Sequence, residues 1–350
     1  MNFYDLAERA LELEREGTRL IRLNVGDTNL PTPRWAIDAA TRSLARGRSG
    51  YGSAAGLREL RDRIARREGC DVAQVVVGPG SKQLIYGLLS VLGKGPVVVP
   101  APYWPAYELA CEQLGLGMIR VNPSAGDRWQ LGALPLTGAS VLIICNPLNP
   151  TSTIYEESQI RRALDEARQE RVAVILDEAY KGLAFREIPR FDAIRVRSFS
   201  KEFNMEGWRL GYAVAPVEIA RQLTSFLQIT TTCVPPFVQE AGMACLDHEE
   251  EILGDNRGVW RERATLAQAA LADSGFSFVR PEAGIYLFAS HPEIKDSGAY
   301  AMELLNEGVV VAPGGAFGGY DRHIRLCLNQ PEDLLREAIG RMNALAARTP

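Results

Sequence analysis

The chain has 350 residues, of which 46% are hydrophobic, 23% charged and 8% aromatic, a composition that excludes disorder, collagen-like repeats and a coiled coil. Its 39 basic and 43 acidic residues leave a formal charge of −4, which gives no reason to expect nucleic acid or an anionic membrane as a partner. The length accommodates two domains, or one large α/β domain, with an ample core.

The opening, Met1 to Gly17, is acidic and helix-patterned (Leu6, Ala10, Leu13) and lacks the basic start and apolar run of a signal peptide. Helical patterns then recur at Leu57–Arg67, Gln83–Leu92, Ser158–Glu170 and Val217–Leu227. Between them lie short β-rich runs: Val75–Val77, Val97–Val99, Val141–Cys145, Val172–Leu176, Ile194–Val196 and Gly211–Ala215. Several of these are apolar at nearly every position, as expected of strands covered on both sides. The alternation predicts an α/β fold, with a mainly parallel sheet and helices on both faces. After Cys233–Val234–Pro235–Pro236 the pattern changes. One long helical tract, Gln239 to about Asp273, precedes strand-like pieces at Phe276–Val279, Ile285–Phe288, Val309–Val311 and Ile324–Leu328, then a helix over Pro331–Ala347. Residues 31–232 read as a large domain and 233–350 as a smaller α+β domain. Residues 1–30 read as an arm that packs on the small domain or on a partner subunit, since so short a helix is marginal alone. No run is long and apolar enough to span a bilayer. The six cysteines (Cys70, Cys111, Cys145, Cys233, Cys245, Cys327) are scattered with no CxxC pair, and a soluble cytoplasmic protein with reduced thiols is expected.

Nitrogen bases are scarce. Five lysines (Lys82, Lys94, Lys181, Lys201, Lys295) and three histidines (His248, His291, His323) are present, so a lysine leads as a catalytic base and no metal cluster is expected. In open α/β sheets ligands bind at the carboxyl ends of strands, and unusual residues follow five of them. Gly78–Pro79–Gly80–Ser81–Lys82–Gln83 can bring backbone N–H groups, a helix N-terminus and side-chain donors to an anion, although the spacing is not that of a Walker loop. Ala101–Pro102–Tyr103–Trp104–Pro105–Ala106–Tyr107 offers an aromatic face to a flat ring. Asn146–Pro147–Leu148–Asn149–Pro150–Thr151 holds Asn149 on a rigid backbone. Asp177–Glu178–Ala179–Tyr180 puts a carboxylate at the end of an apolar run, costly unless a cation or several donors meet it. Ser198–Phe199–Ser200–Lys201 and Gly207–Trp208–Arg209–Leu210–Gly211–Tyr212 combine hydroxyls and a guanidinium suited to phosphate with an amine suited to a Schiff base. Each stretch has a plainer reading as a turn, a cap or a core loop. Together they describe a flat cofactor with a phosphate, an aldehyde and a ring nitrogen that needs a carboxylate, which pyridoxal 5'-phosphate satisfies.

The stretch from Ser198 to Gly211 resembles the lysine signature of the class I/II pyridoxal-phosphate aminotransferases (fold type I), and the resemblance runs from Val25–Gly26 to Arg325. It implies that Lys201 carries the cofactor as an aldimine and shuttles a proton, with Asp177 paired to the ring nitrogen. It implies that Asn149 and Tyr180 bond the ring's 3-oxygen and that Trp104 stacks on the ring. Gly80, Ser81, Lys82, Ser198, Ser200 and Arg209 would cradle the phosphate. Arg325, in Ile324–Arg325–Leu326, matches the fork that grips the substrate's α-carboxylate, with Gly26 and Asn149 also at the substrate. Tyr51, in Tyr51–Gly52–Ser53, matches the tyrosine that reaches the neighbouring subunit's phosphate, so a homodimer with shared active sites is implied. The chain departs from the family at Ser152, where Gly is usual, at Cys327, where Ser is common, and in the loose match of Val25–Asn29.

The implied reaction moves an amino group between an L-amino acid and a 2-oxo acid. Decarboxylation, β- or γ-elimination or replacement, cyclisation and oxidation of an arginine-like substrate use the same lysine, aspartate and phosphate cup, and they stay open here. Asp27, near the expected substrate entrance, could attract a cationic side chain. A ligand-sensing module fused to a DNA-binding regulator is a further alternative, against which stands the lack of a basic helix-turn-helix segment ahead of the α/β region.

Overall fold

In the computed structural model, which describes residues 3–123 and 128–348, helix α1 (Phe3–Arg15) and strand β1 (Ile21–Arg22) come first. Helices α2 (Arg34–Ala45) and α3 (Arg58–Glu68) follow. Strands and helices then alternate: β2 (Val75–Gly78), α4 (Ser81–Leu92), β3 (Val97–Pro100), α5 (Ala106–Gln113), β4 (Met118–Val121), β5 (Val141–Cys145), α6 (Glu157–Glu170) and β6 (Ala173–Asp177). Strand β7 (Ile194–Ser198) runs into the single turn α7 (Phe199–Glu202), and β8 (Gly211–Val214) and α8 (Val217–Thr230) close this part. The seven strands from β2 to β8 form one sheet in the order β2-β8-β7-β6-β5-β3-β4. Every neighbouring pair is parallel except the two made by β8.

Both faces of this sheet are covered, and the alternation along β2 and β8 shows it at that edge. Val75, Val77, Tyr212 and Val214 belong to one core, while Val76 and Ala213, one residue out of phase, belong to another. All six apolar runs named from the sequence are strands, with ends shifted by a residue or two. Strand β4 escaped notice because it is a half-exposed edge strand, and α5 because it has only eight residues.

The long helical tract is two helices, α9 (Pro236–Asp247) and α10 (Glu249–Leu271). They break at His248, whose φ of −121° is not helical and whose ring stacks on Trp35 of α2 at 4.3 Å. Packing of α9 along α2 and α3 sets its direction, so a tertiary contact overrides a continuous helical pattern. Strands β9 (Ser277–Phe278), β10 (Tyr286–Ser290), β12 (Ala312–Pro313) and β13 (His323–Cys327) make an antiparallel sheet in the order β12-β13-β10-β9. Helices α11 (Ser297–Asn306) and α12 (Glu332–Ala346) pack around it. Strand β1 pairs in parallel with β11 (Val309–Val310), and α1 lies against α11 with Leu6 and Ala10 buried. The first residues are thereby joined to the last third of the chain. Among the described residues no helix is long and apolar enough to cross a membrane.

Candidate active site

The carboxyl ends of the parallel strands β2, β3, β5, β6 and β7 point to one edge of the sheet, and a cavity of ≈ 390 Å³ lies there. Its lining includes Ser81, Lys82, Trp104, Asn149, Asp177, Tyr180, Ser198, Ser200, Lys201 and Arg209, ten of the residues singled out from the sequence. Residues that lie more than a hundred positions apart thus meet because each follows a strand of one sheet.

One end of the cavity is cationic. Helix α4 begins at Ser81, directing its first N–H groups there. Gly80 has φ +88°, and a Cβ on it would lie 2.6 Å from Nη2 of Arg209, so glycine is needed for both the turn and the close approach. Arg209 is anchored by Nη1 to the carbonyl of Glu206 at 2.7 Å and by Nη2 to that of Pro79 at 3.3 Å. Lys82 Nζ lies 5.2 Å from the centroid of Trp104, and Ser198 Oγ accepts the Ser200 N–H at 3.2 Å, capping α7.

The floor is Asp177, at the last position of β6 and 3% exposed. Its partners are neutral: the Tyr107 hydroxyl donates to Oδ2 at 2.6 Å and the Ala179 N–H to Oδ1 at 3.1 Å. Burial pushes the carboxyl up to about 6, against the pull of these two donors. No cation stands within ion-pair distance of it among the described residues.

Lys201 Nζ donates to Glu206 Oε1 at 3.3 Å, and the same oxygen accepts the Thr28 N–H at 2.9 Å. Across the cavity, Asn149 Nδ2 donates to the Tyr180 hydroxyl at 3.5 Å, which is bonded in turn to the Tyr286 hydroxyl at 3.0 Å. Burial, then Tyr286, hold the Tyr180 phenol well above its ordinary value.

Arg325, in β13, is 4% exposed. Its Nη1 donates to Asn149 Oδ1 at 3.0 Å and its Nη2 to the Asn24 carbonyl at 2.6 Å, while Nε has no partner. The guanidinium lies over the rings of Tyr286 (4.2 Å) and Phe317 (4.7 Å). A buried cation with neutral acceptors and an orphaned N–H is suited to an incoming carboxylate. Gly26 packs under the Tyr286 hydroxyl, where a Cβ would collide. Tyr51 stands apart from the cavity, 90% exposed.

Glu206, Tyr286 and Asn24 carry no mark in the sequence, and Tyr107 is marked only as the end of its aromatic stretch. Tyr107 was within reach, one helical turn beyond Trp104 and edge-on to it at 5.6 Å. The others act from elements that only folding brings near. Ser152, the departure from glycine, sits at φ +56°, and its hydroxyl accepts the Tyr286 N–H at 3.1 Å. That bond compensates for the strain of a side chain in the left-handed region.

The donor set fits a pyridoxal phosphate. Cationic and helix-terminal donors suit the phosphate, the amine suits the aldehyde, and the desolvated Asp177 suits a protonated ring nitrogen. The sheet, the cavity and the amine define a fold type I transferase. The chain belongs to the class I and II aminotransferases, whose family model matches residues 18–342, and it is a pyridoxal-phosphate-dependent enzyme of amino-group transfer. It is 37% identical to the aspartate aminotransferase of Thermococcus kodakarensis over 334 residues, 94% of this chain and 88% of that one. It is 30% identical to the aspartate/prephenate aminotransferase of Thermus thermophilus, covering 97% of this chain and 94% of that one. The solved aspartate aminotransferase of Thermus thermophilus with maleate superposes with a TM-score of 0.92 at 27% identity, covering 99% and 96% of the two chains.

Proposed function

We propose that Lys201 is the reacting amine, that Asp177 holds the ring nitrogen and that Arg325 grips the α-carboxylate, with aspartate as amino donor and a 2-oxo acid as acceptor. The observation that carries the assignment is the meeting, around one cavity, of a lysine and a buried carboxylate without a cation, with a buried guanidinium without a carboxylate bonded to Asn149 of the cavity wall. The choice of aspartate is supported by the 37% identity to the aspartate aminotransferase of Thermococcus kodakarensis.

When bound, the cofactor supplies a sink for the electron pair left at the substrate's Cα. The chain's residues do the rest. Arg325, its planar fork backed by Tyr286 and Phe317, orients the donor through its carboxylate. Lys201 Nζ accepts the proton of Cα and, staying on the same face of the reacting system, gives it back there. Ionised Asp177 favours a protonated ring nitrogen, and the Tyr107 hydroxyl keeps it aimed. Tyr180 and Asn149 would donate to a ring oxygen, while Arg209, Lys82, Ser81, Ser198 and Ser200 would hold the phosphate.

Mixing the holoenzyme with aspartate alone should convert the cofactor's absorbance to that of its amine form and release one equivalent of oxaloacetate. Lys201→Ala should lower turnover about 10⁴-fold or more. Turnover within tenfold of wild type in that variant would sink the lysine assignment.

We further propose a homodimer in which Tyr51 of one subunit serves the other's phosphate site, supported by the 90% exposure of this aromatic ring. A monomer by light scattering would contradict it. The cytoplasm is the proposed location, supported by six free cysteines, none joined to another. The proposed division puts 31–232 in a large domain and 1–30 with 233–350 in a small one, supported by the pairing of β1 with β11.

A further inference from the structure

Glu202 follows Lys201 directly and is 0% exposed. Its carboxylate accepts from Arg197 Nη2 at 2.5 Å, Arg67 Nη2 at 2.9 Å and the Gly182 N–H at 2.8 Å. Its backbone carbonyl accepts from Asn256 Nδ2 at 2.9 Å. Those donors come from β7, α3, the turn Lys181–Leu183 directly after Tyr180, and α10. Burial alone would raise the acid's pKa, but Arg197 and Arg67 outweigh it and the carboxyl lies below its ordinary value. The residue is therefore a charged, fully bonded junction among four elements.

Helix α7, which carries Lys201, is a single turn of four residues. So short a helix has almost no stability of its own, and its position is set by what it is tied to. The lysine stem is flexible and can reach; what must be fixed is its base. The tie to the Tyr180 turn is close, since a Cβ on Gly182 would lie 2.9 Å from the Glu202 carboxyl carbon. Neither the lysine turn nor the Tyr180 turn can shift without the other. Glu206, by contrast, touches Lys201 only at the tip of its side chain.

We propose that Glu202 is a positioning residue for the reaction: it sets the distance between the base of Lys201 and the Tyr180 turn that walls the cavity. The proposal rests on Lys201 being the reacting amine. A misplacement of about 1 Å at a reacting group lowers rates by about 10²-fold, so loss of this junction appears in turnover more than in substrate capture.

Glu202→Gln keeps the size, removes the charge and turns one acceptor into a donor. We expect kcat to fall at least about tenfold while KM for the amino donor stays within about threefold. In the apoprotein, acylation of Lys201, followed by peptide mass spectrometry, should slow in the same variant. The control is Arg195→Met, because Arg195 pairs with Glu68 in the same buried network and not with α7. It should melt at a lower temperature and keep kcat within about twofold, as a purely structural loss would.

The proposal is overturned if Glu202→Gln keeps kcat within about twofold of wild type, or if Arg195→Met lowers kcat as much. Should Glu202→Gln not fold, Gly182→Ala decides: it keeps every charge and displaces the carboxylate, so unchanged turnover overturns the proposal and a tenfold loss or more supports it. Lys201→Ala, run in parallel, separates the two readings. Turnover surviving there defeats the lysine assignment, whereas turnover surviving only in Glu202→Gln defeats this proposal alone.

Discussion

Asp177 and Glu68 are equally buried, at 3% and 4% exposure, yet their surroundings are opposite. Glu68, at the end of α3, meets two guanidiniums and a phenol: Arg195, Arg197 at 3.3 Å and the Tyr212 hydroxyl at 2.6 Å. Burial would raise its pKa, but the arginines and Tyr212 prevail and hold it at about 2. Asp177 meets only two neutral donors, and burial prevails, at about 6. Equal desolvation therefore has two uses. With its counter-charges supplied by the fold, a buried acid ties elements together. Without them, it is a standing affinity for a cation that arrives later.

The largest effect expected from breaking this contrast is in turnover. Asp177→Asn should cost about 10³-fold in kcat, because the ring nitrogen loses its counter-charge. The same change should raise the melting temperature of the apoprotein at pH 8, by on the order of 1 kcal/mol of stability, since an uncompensated buried charge is gone. An apoprotein destabilised by Asp177→Asn would contradict the account.

Glu68→Gln should do the reverse. Removing one partner of a buried ion-pair network costs about 3 kcal/mol, read by urea unfolding at pH 7, while kcat of the folded fraction stays within a few-fold. The pH dependence separates the two acids as well. Glu68, depressed to about 2, contributes stability that is present above its ordinary 4.5 and is lost as pH falls toward 2. Asp177, raised from 3.8 to about 6, imposes a penalty that is complete above about pH 6 and relieved as pH falls toward 3.8. Apoprotein melting curves of Glu68→Gln should be flatter than wild type between pH 2 and 4.5, and those of Asp177→Asn flatter of slope between pH 3.8 and 6. The smallest effect on function belongs to Tyr107→Phe. Loss of one hydrogen bond to a charged group, about 1.5 kcal/mol, should weaken cofactor affinity roughly tenfold, as measured by equilibrium dialysis.

How much of this was legible in the sequence follows from what each feature depends on. Strands such as Val141–Cys145 and Val75–Val77 announced themselves because burial on both faces demands an unbroken apolar run. The residues around the cavity from Gly80 to Lys201 were legible because each ends or closely follows such a strand, and a parallel sheet gathers its strand ends at one edge. Tyr286 and Asn24 were not, because they reach Arg325 and Tyr180 from the antiparallel sheet and the N-terminal segment, positions no local pattern marks. The break at His248 was hidden for the same reason, as it answers to Trp35 rather than to its own neighbours.

Arg195 and Arg197 make the boundary plain. In Ile194–Arg195–Val196–Arg197 apolar and charged residues alternate, a pattern ordinary for a strand with one solvent face, yet both arginines are buried, 5% and 6% exposed. By itself the sequence determined the α/β class and the strand ends, because periodicity is a local property, and its resemblance to a family put forward the amine, the carboxylate and the anion grips proposed for the site. Tertiary structure alone decided which buried charges are matched and which are left open. Pairing a charge depends on what another part of the chain brings within about 4 Å, and at that distance a single guanidinium turns desolvation from a penalty into a tie.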